Sequence, residues 1–108
     1  MRSKFRIEYS PEAIDDLRGI YAYIAFHLRE RKTAKALIDR IRKDVRSLSE
    51  MPERYALSDL EPWASMGMRH RAIDNFIVFY LVEKDDRLVQ IVRVLYGGQD
   101  IESIAQHN

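Results

Sequence analysis

The sequence of 108 residues contains no cysteine, which excludes disulfide bonds and thiolate metal sites. The three histidines, at positions 27, 70 and 107, lack the spacing of metal ligands. A phosphate-cradling glycine loop, a catalytic carboxylate pair and a nucleophile elbow are also absent. We therefore predict a protein without metal or cofactor, and the composition suits the reducing conditions of the cytoplasm.

Long apolar runs are missing as well. None approaches the roughly 18 residues that a membrane-spanning helix needs, and the amino terminus lacks the apolar stretch of a signal peptide. We expect no membrane partner and a cytoplasmic location. Hydrophobic residues make up 46% of the chain, and its length suits one globular core, so residues 1–108 are predicted to form a single domain.

Positive charge is concentrated in one stretch, although the net charge is only +1. Residues 29–46 hold eight Lys or Arg against three Asp or Glu, whereas residues 50–62 hold four acids and one Arg. The small net charge does not by itself indicate a nucleic-acid-binding protein. The basic stretch is interpreted as a solvated helix face, with a surface for phosphate or for an acidic partner as the alternative.

A strand and a strongly marked helix start open the chain. Lys4 to Tyr9 alternates polar and apolar side chains, which predicts a strand buried on one face. Ser10 is placed to cap a helix that begins at Pro11. The apolar face of this helix repeats at intervals of three and four residues. Its members are Ala13, Leu17, Ile20, Ile24 and Leu28, with Ile14 and Tyr21 at the edges.

A second amphipathic helix follows a short polar connection, with Thr33 as its predicted cap and Asp39 placed to pair with Lys43. Two such helices in tandem predict a helical hairpin. Residues 53–65 show no clear period and predict a long loop. Its apolar side chains, including Trp63, indicate that the loop packs onto the domain.

The last third of the chain predicts a three-stranded antiparallel meander. Phe76 to Val82 is an unbroken apolar run, typical of a central strand buried on both faces. Asp74 and Asn75 tolerate the positive φ of a two-residue hairpin turn, so residues 68–73 are the preceding strand. The last strand, Leu88 to Tyr96, stops at two glycines. Strict alternation along it places these residues on one face: Val89, Ile91, Arg93 and Leu95.

Asp100 is placed to cap a short C-terminal helix, so the predicted order is β-α-α-β-β-β followed by that helix. A helical hairpin packed on one face of a four-stranded, mostly antiparallel sheet buries both amphipathic stripes. The predicted fold class is therefore α+β, with the N-terminal strand joining the meander and the other sheet face partly open.

Arginines occur in the predicted meander where folding does not need them. Arg69 and Arg71 share one face of its first strand, and Arg93 lies between apolar neighbours on its last strand. Guanidinium groups match phosphate oxygens and stay charged at any working pH, so these residues are candidates for an anion site. The alternative is that they cover apolar neighbours and pair with nearby acids.

Two further side chains have the chemistry for proton transfer. Tyr96 ends the last strand, where a phenol can stack on a base or exchange a proton, or can simply be a core aromatic. His70 lies between Arg69 and Arg71 in the sequence, which favours its neutral form and makes it a candidate base. Alternation, however, points His70 away from the two arginines.

The chain resembles a known family at several places in succession. These are "SPEAIDDLRGIYAYI" after the first strand, "SLSEMPERY" at the end of the second helix, "GMRHRAIDNFIVFYLV" and "IVRVLYGGQD". Their order and spacing are similar to the RelE/ParE superfamily of bacterial type II toxin–antitoxin toxins, often called plasmid-stabilisation proteins. The resemblance covers nearly the whole chain and implies the same α/β fold.

The resemblance implies a toxin and a cognate antitoxin, commonly encoded alongside, that wraps and neutralises it. RelE-like members cut mRNA on the ribosome, whereas ParE-like members inhibit DNA gyrase without a known hydrolytic site. Arg69 and Arg93 match family arginines, and Tyr96 stands where many ParE-like sequences have histidine. If the protein is a ribonuclease, the predicted catalytic residues are Arg69, Arg93, Tyr96 and His70.

Two departures from the RelE-like pattern favour the ParE-like branch. No basic cluster follows Gly98, and the loop before Met68 is acidic where an mRNA-cutting protein would profit from lysines. The alternatives are a ribosome-dependent mRNA endoribonuclease and a member that has lost toxicity and persists as a partner-binding module. The sequence leaves open whether the protein is an enzyme.

Overall fold

The computed structural model describes residues 4–107, and these form an α+β fold in the predicted order. Residues 1–3 and 108 of the predicted domain lie outside the described residues. The strands are β1 (Arg6–Tyr9), β2 (Arg69–Ile73), β3 (Phe76–Glu83) and β4 (Leu88–Tyr96). The helices are α1 (Pro11–Ala22), α2 (Arg31–Arg46) and α3 (Ile101–His107), with a π-helical turn at Tyr23–His27 and 3-10 turns at Ser47–Ser49 and Pro52–Arg54.

The four strands form one sheet in the order β1-β4-β3-β2. β1 runs parallel to β4, and the other neighbouring strands are antiparallel. A parallel pair needs a long crossover, which the α1–α2 hairpin and the meander supply. Asp74 has a φ of 55°, the left-handed conformation predicted for the turn between β2 and β3.

The start of α1 is confirmed. The Ser10 hydroxyl accepts a hydrogen bond from the Ala13 amide at 2.9 Å and donates one to the Val92 carbonyl at 2.7 Å. The predicted apolar stripe is buried at Ala13 and Leu17, but its last member, Leu28, is half-exposed. The π-helical turn accounts for this, because its wider winding rotates the end of the stripe away from the core.

The predicted start of α2 is wrong by about one turn. The helix begins at Arg31 with Glu30 as its N-cap residue, before the predicted cap at Thr33. Arg29 precedes it with a left-handed φ of 59°, which turns the chain sharply into the second helix. The connection is therefore shorter than its polar composition suggested.

The predicted ion pair on α2 is also wrong. Asp39 pairs with Lys35 at 2.9 Å rather than with Lys43. Both lysines stand four residues from Asp39, so spacing alone does not choose between them.

The two long helices pack on one face of the sheet, as predicted, and enclose the larger apolar core. β3 contributes Val78 and Tyr80 to this core, and β4 contributes Val89 and Ile91. From α2 the fully buried Ile41 packs against them. The helix-side core therefore joins both halves of the chain.

The opposite face of the sheet is covered more fully than predicted. Phe79 and Leu95 point to this side and are buried. The Trp63 ring lies 4.6 Å from the Phe79 ring, and Ala105 of α3 joins the same cluster. The predicted loop, residues 53–65, packs onto the domain, as expected. Its second half and α3 cover a face that we expected to be partly open.

A β-bulge makes the predicted alternation wrong for the second half of β4. The register against β3 shifts between Phe79 and Tyr80, which makes Val92 an extra residue in β4. As a result Val94 points into the helix-side core, whereas Leu95 lies in the cluster on the opposite face. A bulge of this kind has no signature in a run of apolar residues.

Tyr80 should make the protein sensitive to alkali. Its buried hydroxyl donates a hydrogen bond to the Pro52 carbonyl at 2.7 Å. Burial raises the pKa of Tyr80 to about 12, although Arg69 and Arg54 act in the opposite direction. An unfolded tyrosine ionises near pH 10, so this contribution to stability is complete below roughly pH 10 and is lost as the pH rises towards about 12.

The measurement is the urea midpoint of the wild-type protein and of Tyr80→Phe at several pH values between about 8 and 12. The variant lacks the ionisable group, so its midpoint should fall less steeply above pH 10. Equal slopes for the two proteins would contradict the assignment. Tyr9, whose pKa burial also raises, is present in both proteins and cancels in the comparison.

Candidate functional site

Arg93 of β4 is held by a carboxylate of α1. Its Nε lies 2.8 Å from Asp16 Oδ2 and its Nη2 lies 2.9 Å from Asp16 Oδ1, a two-point ion pair in which both side chains are largely buried. The Val94 amide also donates to Asp16 Oδ2 at 2.9 Å. The hydrogen bond to Asp16 raises the pKa of Arg93, with burial acting against it. This cluster joins the first helix to the last strand.

Arg71 of β2 is paired in the same way with the second helix. Its Nε and Nη2 each lie 3.1 Å from the two carboxylate oxygens of Asp44. The guanidinium also lies over the Tyr55 ring, 4.6 Å from the centroid. Hydrogen bonding to Asp44 raises the pKa of Arg71. The arginine therefore ties β2 to α2 and to the loop that follows it.

Arg69 contacts the same loop. Its Nη1 donates to the Tyr55 carbonyl at 2.6 Å, and its Nη2 lies 3.7 Å from a carboxylate oxygen of Glu53. All three arginines proposed for an anion site thus contact acceptors within the fold. The alternative interpretation, in which they pair with nearby acids, describes their geometry.

His70 lies on the other face of β2, as alternation predicted. Its ring is 6.3 Å from the Phe79 ring, on the side covered by Trp63. Its Nδ1 is buried and has no hydrogen-bond partner among the residues that the structure describes. The imidazole is therefore separated by the sheet from Arg69 and Arg71.

Tyr96 is half-exposed at the end of β4. Its ring packs edge-on against Phe76, with 5.8 Å between the centroids. Gly98 lies directly beneath it, since a Cβ at this position would come within 2.5 Å of the ring. The phenol is therefore a surface group fixed by its neighbours.

The four predicted catalytic residues do not form one site. Arg69 stands opposite Tyr80, whereas Tyr96 stands opposite Phe76. This offset of four residues along β3 is about 13 Å of extended strand. His70 lies on the other sheet face. The assignment of any of these residues to catalysis remains a prediction.

A groove lies beside α1. Its volume is about 800 Å³, and it runs between α1, the π-helical turn and the ends of β3 and β4. Apolar side chains form most of its wall, and several of them are half-exposed. They are Ile20, Tyr23, Ile24, Leu28, Phe76 and Tyr96. We call this the apolar groove.

The groove and the partner of Arg93 were both missed by sequence reasoning. An acidic residue in the early turns of a helix is explained by the helix dipole, and nothing local shows that Asp16 meets a residue of the last strand. Leu28 belongs to a stripe that predicts burial, whereas Tyr23 lies outside that stripe. The π-helical turn exposes them, and no motif marks such a turn.

The described residues contain no group of three or more His, Cys, Asp or Glu that could hold a metal ion. In the same part of the chain, no helix combines the length and apolar character needed to cross a membrane.

Comparison with known proteins identifies the family. The description "ParE toxin of type II toxin-antitoxin system, parDE" matches residues 7–101. The fold is similar to the chromosomal ParDE system of P. aeruginosa, with a TM-score of 0.72 at 18% identity, covering 86% of this chain and 96% of that one. No curated protein gives a significant match.

Two toxin–antitoxin complexes also share the fold. The RelBE2 complex of Mycobacterium tuberculosis has a TM-score of 0.63 at 16% identity, covering 86% of this chain and 98% of that one. The E. coli RelBE complex has a TM-score of 0.58 at 12% identity, covering 88% and 99%. The match over residues 7–101 spans most of the sequence, and the chain therefore belongs to the ParE toxin family of type II toxin–antitoxin systems.

Proposed function

We propose that this toxin inhibits DNA gyrase and does not cleave mRNA. The observation that carries the proposal is the ion pair between Arg93 and Asp16, in which the guanidinium donates hydrogen bonds of 2.8 and 2.9 Å to the carboxylate. A ribonuclease needs positive groups aimed at the scissile phosphate, where charge develops in the transition state. A guanidinium already bound to a buried carboxylate is poorly placed for that role.

The surroundings of the other two arginines support the same conclusion. Asp44 faces Arg71, and Glu53 lies near Arg69, so a phosphate at either position would approach a carboxylate. Residues 50–62 carry four acids against one Arg. Negative side chains repel a polyanion such as mRNA. A protein that holds mRNA among ribosomal phosphates needs an excess of positive charge instead.

The apolar groove supports a protein partner. Half-exposed aromatic rings such as Tyr23 and Tyr96 contribute large contact areas when a partner covers them. We infer that a segment of the cognate antitoxin occupies this groove, as an amphipathic helix or an extended strand would. The fold neighbours include toxin–antitoxin complexes, which agrees with a partner of this kind.

The test is a supercoiling assay with purified gyrase and relaxed plasmid. Wild-type toxin in excess should block supercoiling, and addition of the protein encoded in the adjacent reading frame should restore it. Normal supercoiling with soluble, folded toxin in excess would rule out gyrase as the target. Transcripts should stay intact after induction when they are mapped by primer extension.

A second candidate function has one observation in its favour. The exposed phenol of Tyr96 could take part in proton transfer in a RelE-like, ribosome-dependent endoribonuclease. Cleaved transcripts with normal supercoiling would establish that function. Unimpaired growth on expression without an antitoxin would instead indicate a member that has lost toxicity and only binds its partner.

A further inference from the structure

The flank of α1 that faces away from the apolar groove carries a second, smaller groove. Its volume is about 310 Å³, and it lies between α1, α2 and the end of β1. Ile14 and Leu17 form its apolar floor, and Arg18 and Arg42 stand at its edge with Tyr9. We call this the basic groove. Arg42 belongs to the basic stretch, residues 29–46, whose role the sequence left open between a solvated face and a binding surface.

Two other cations of α2 are neutralised within the fold. Arg40 is paired with Asp74 at 2.7 Å, and Lys35 is paired with Asp39. By contrast, Arg18 and Arg42 have no ion pair or hydrogen bond with any residue in the range 4–107, and the same holds for Arg46 one turn further along α2. The cations of the groove therefore lack an acidic partner among residues 4–107.

The floor of the groove adds apolar surface and a hydrogen-bond donor. Ile14 is 39% exposed although it belongs to the apolar face of α1. Tyr9 is partly buried, and burial raises the pKa of its phenol while Arg42 and Arg46 lower it. The protonated phenol can donate a hydrogen bond to a carboxylate that the arginines attract.

We propose that the basic groove binds an acidic segment of the antitoxin, in which carboxylates flank an apolar side chain. The carboxylates would pair with Arg18 and Arg42, and the apolar side chain would cover Ile14. The proposal rests on the proposed function, because it names a second contact of the same partner. A chain that crosses α1 can reach both grooves, since residues of this one helix line each of them.

Two observations favour a peptide over a nucleic acid. The exposed apolar floor at Ile14 has nothing to contribute to a phosphodiester backbone, whereas it can bury an apolar side chain. The neighbouring positions on α1, Glu12 and Asp15, are acidic and exposed, and they would repel a long polyanion that continued past the groove.

The experiment measures the affinity of the full-length toxin for the protein encoded in the adjacent reading frame by isothermal titration calorimetry. The double variant Arg18→Glu/Arg42→Glu should raise Kd by about 10- to 100-fold, because it replaces attraction by repulsion at two points. The wild-type affinity should weaken with salt more steeply than that of the variant. Arg18→Gln/Arg42→Gln should give a smaller loss of affinity. It replaces the double charge reversal in the experiment if that variant does not fold.

Lys43→Glu is the matched control. Lys43 is exposed on α2 next to Arg42 in sequence, but it does not line the groove, so reversing its charge should leave Kd within about twofold. Equal losses in the control and the test variant would overturn the proposal, as would an unchanged Kd in the test variant. A labelled DNA duplex bound by wild type and lost in the double variant, with antitoxin affinity unchanged, would assign the groove to nucleic acid instead. Failure of wild-type toxin to bind the adjacent protein at all would count against an antitoxin in either groove, whereas the supercoiling assay tests gyrase inhibition separately.

Discussion

Replacing Asp16 with alanine should destabilise the protein by about 3–5 kcal/mol, the range found when one partner of a buried ion pair is removed. The carboxylate accepts two hydrogen bonds from Arg93 and one from the Val94 amide. The two side chains are only 18% and 13% exposed, so water restores little of what is lost. The Val94 amide adds to the cost, because a backbone donor in this place loses its acceptor.

Urea unfolding followed by far-UV circular dichroism measures the effect. The control is Asp39→Ala, which removes the exposed pair with Lys35 and should change stability far less. The double variant Asp16→Leu/Arg93→Met should recover part of the loss, since apolar residues of similar size often replace a buried ion pair at little cost. A loss below about 1 kcal/mol for Asp16→Ala would show that the pair is not structural.

The same double variant bears on the function. If Arg93 acts through its charge on a phosphate, the compensated protein should fold but lose toxicity. If Arg93 only holds β4 to α1, the folded fraction should still inhibit gyrase. This one double variant therefore distinguishes a structural role of Arg93 from a catalytic role.

Several features that depend on neighbouring residues were predicted correctly. The unbroken apolar run of β3 indicates a strand buried on both faces, and the turn at Asp74 follows from the tolerance of Asp and Asn for positive φ. Ser10 caps α1 because a side-chain oxygen at that position reaches a free amide of the first turn. These interactions act between residues close together in the chain, so they can be inferred from the amino-acid sequence.

Two features that depend on distant residues were not predicted. The bulge at Val92 arises from the register against β3, and Asp16 meets Arg93 only because α1 packs across β4. Taken alone, Asp16 is compatible with the early turns of a helix, and Arg93 is compatible with a surface strand. The alternation rule assumes a regular ladder of strand pairs. Because β4 contains one extra residue, the rule predicted the wrong faces for Val94 and Leu95.

The candidate site was only partly accessible from the sequence for the same reason. The sequence shows that the arginines are unusual. Whether a guanidinium is available to bind a phosphate or is already paired with a carboxylate depends on acids that lie far away in the chain. For Arg71 the acid is Asp44 on α2, and for Arg69 it is Glu53 in the following loop. The apolar groove depends on the π-helical turn, which is a property of packing rather than of composition.

Trp63→Ala should be the most damaging single change on the sheet face opposite the helices, with an expected loss of about 3–5 kcal/mol. Trp63 is the only tryptophan of the chain, is 1% exposed and packs 4.6 Å from the Phe79 ring. Its removal leaves a cavity between residues 57–67 and the sheet, and α3 shares the same apolar cluster. Both covering segments should therefore loosen together.

Circular dichroism is the appropriate probe of unfolding, because the substitution removes the fluorophore itself. Trp63→Phe should recover part of the loss, since the smaller ring still fills much of the site. Met66→Ala is the matched control in the same segment, as this side chain is 55% exposed and should contribute little. Amide exchange should rise first in residues 57–67 and in α3, while the helix-side core around Ile41 keeps its protection. If exchange rose equally on both faces, or the loss stayed below about 1 kcal/mol, the second cluster would not be the independent layer that its packing indicates.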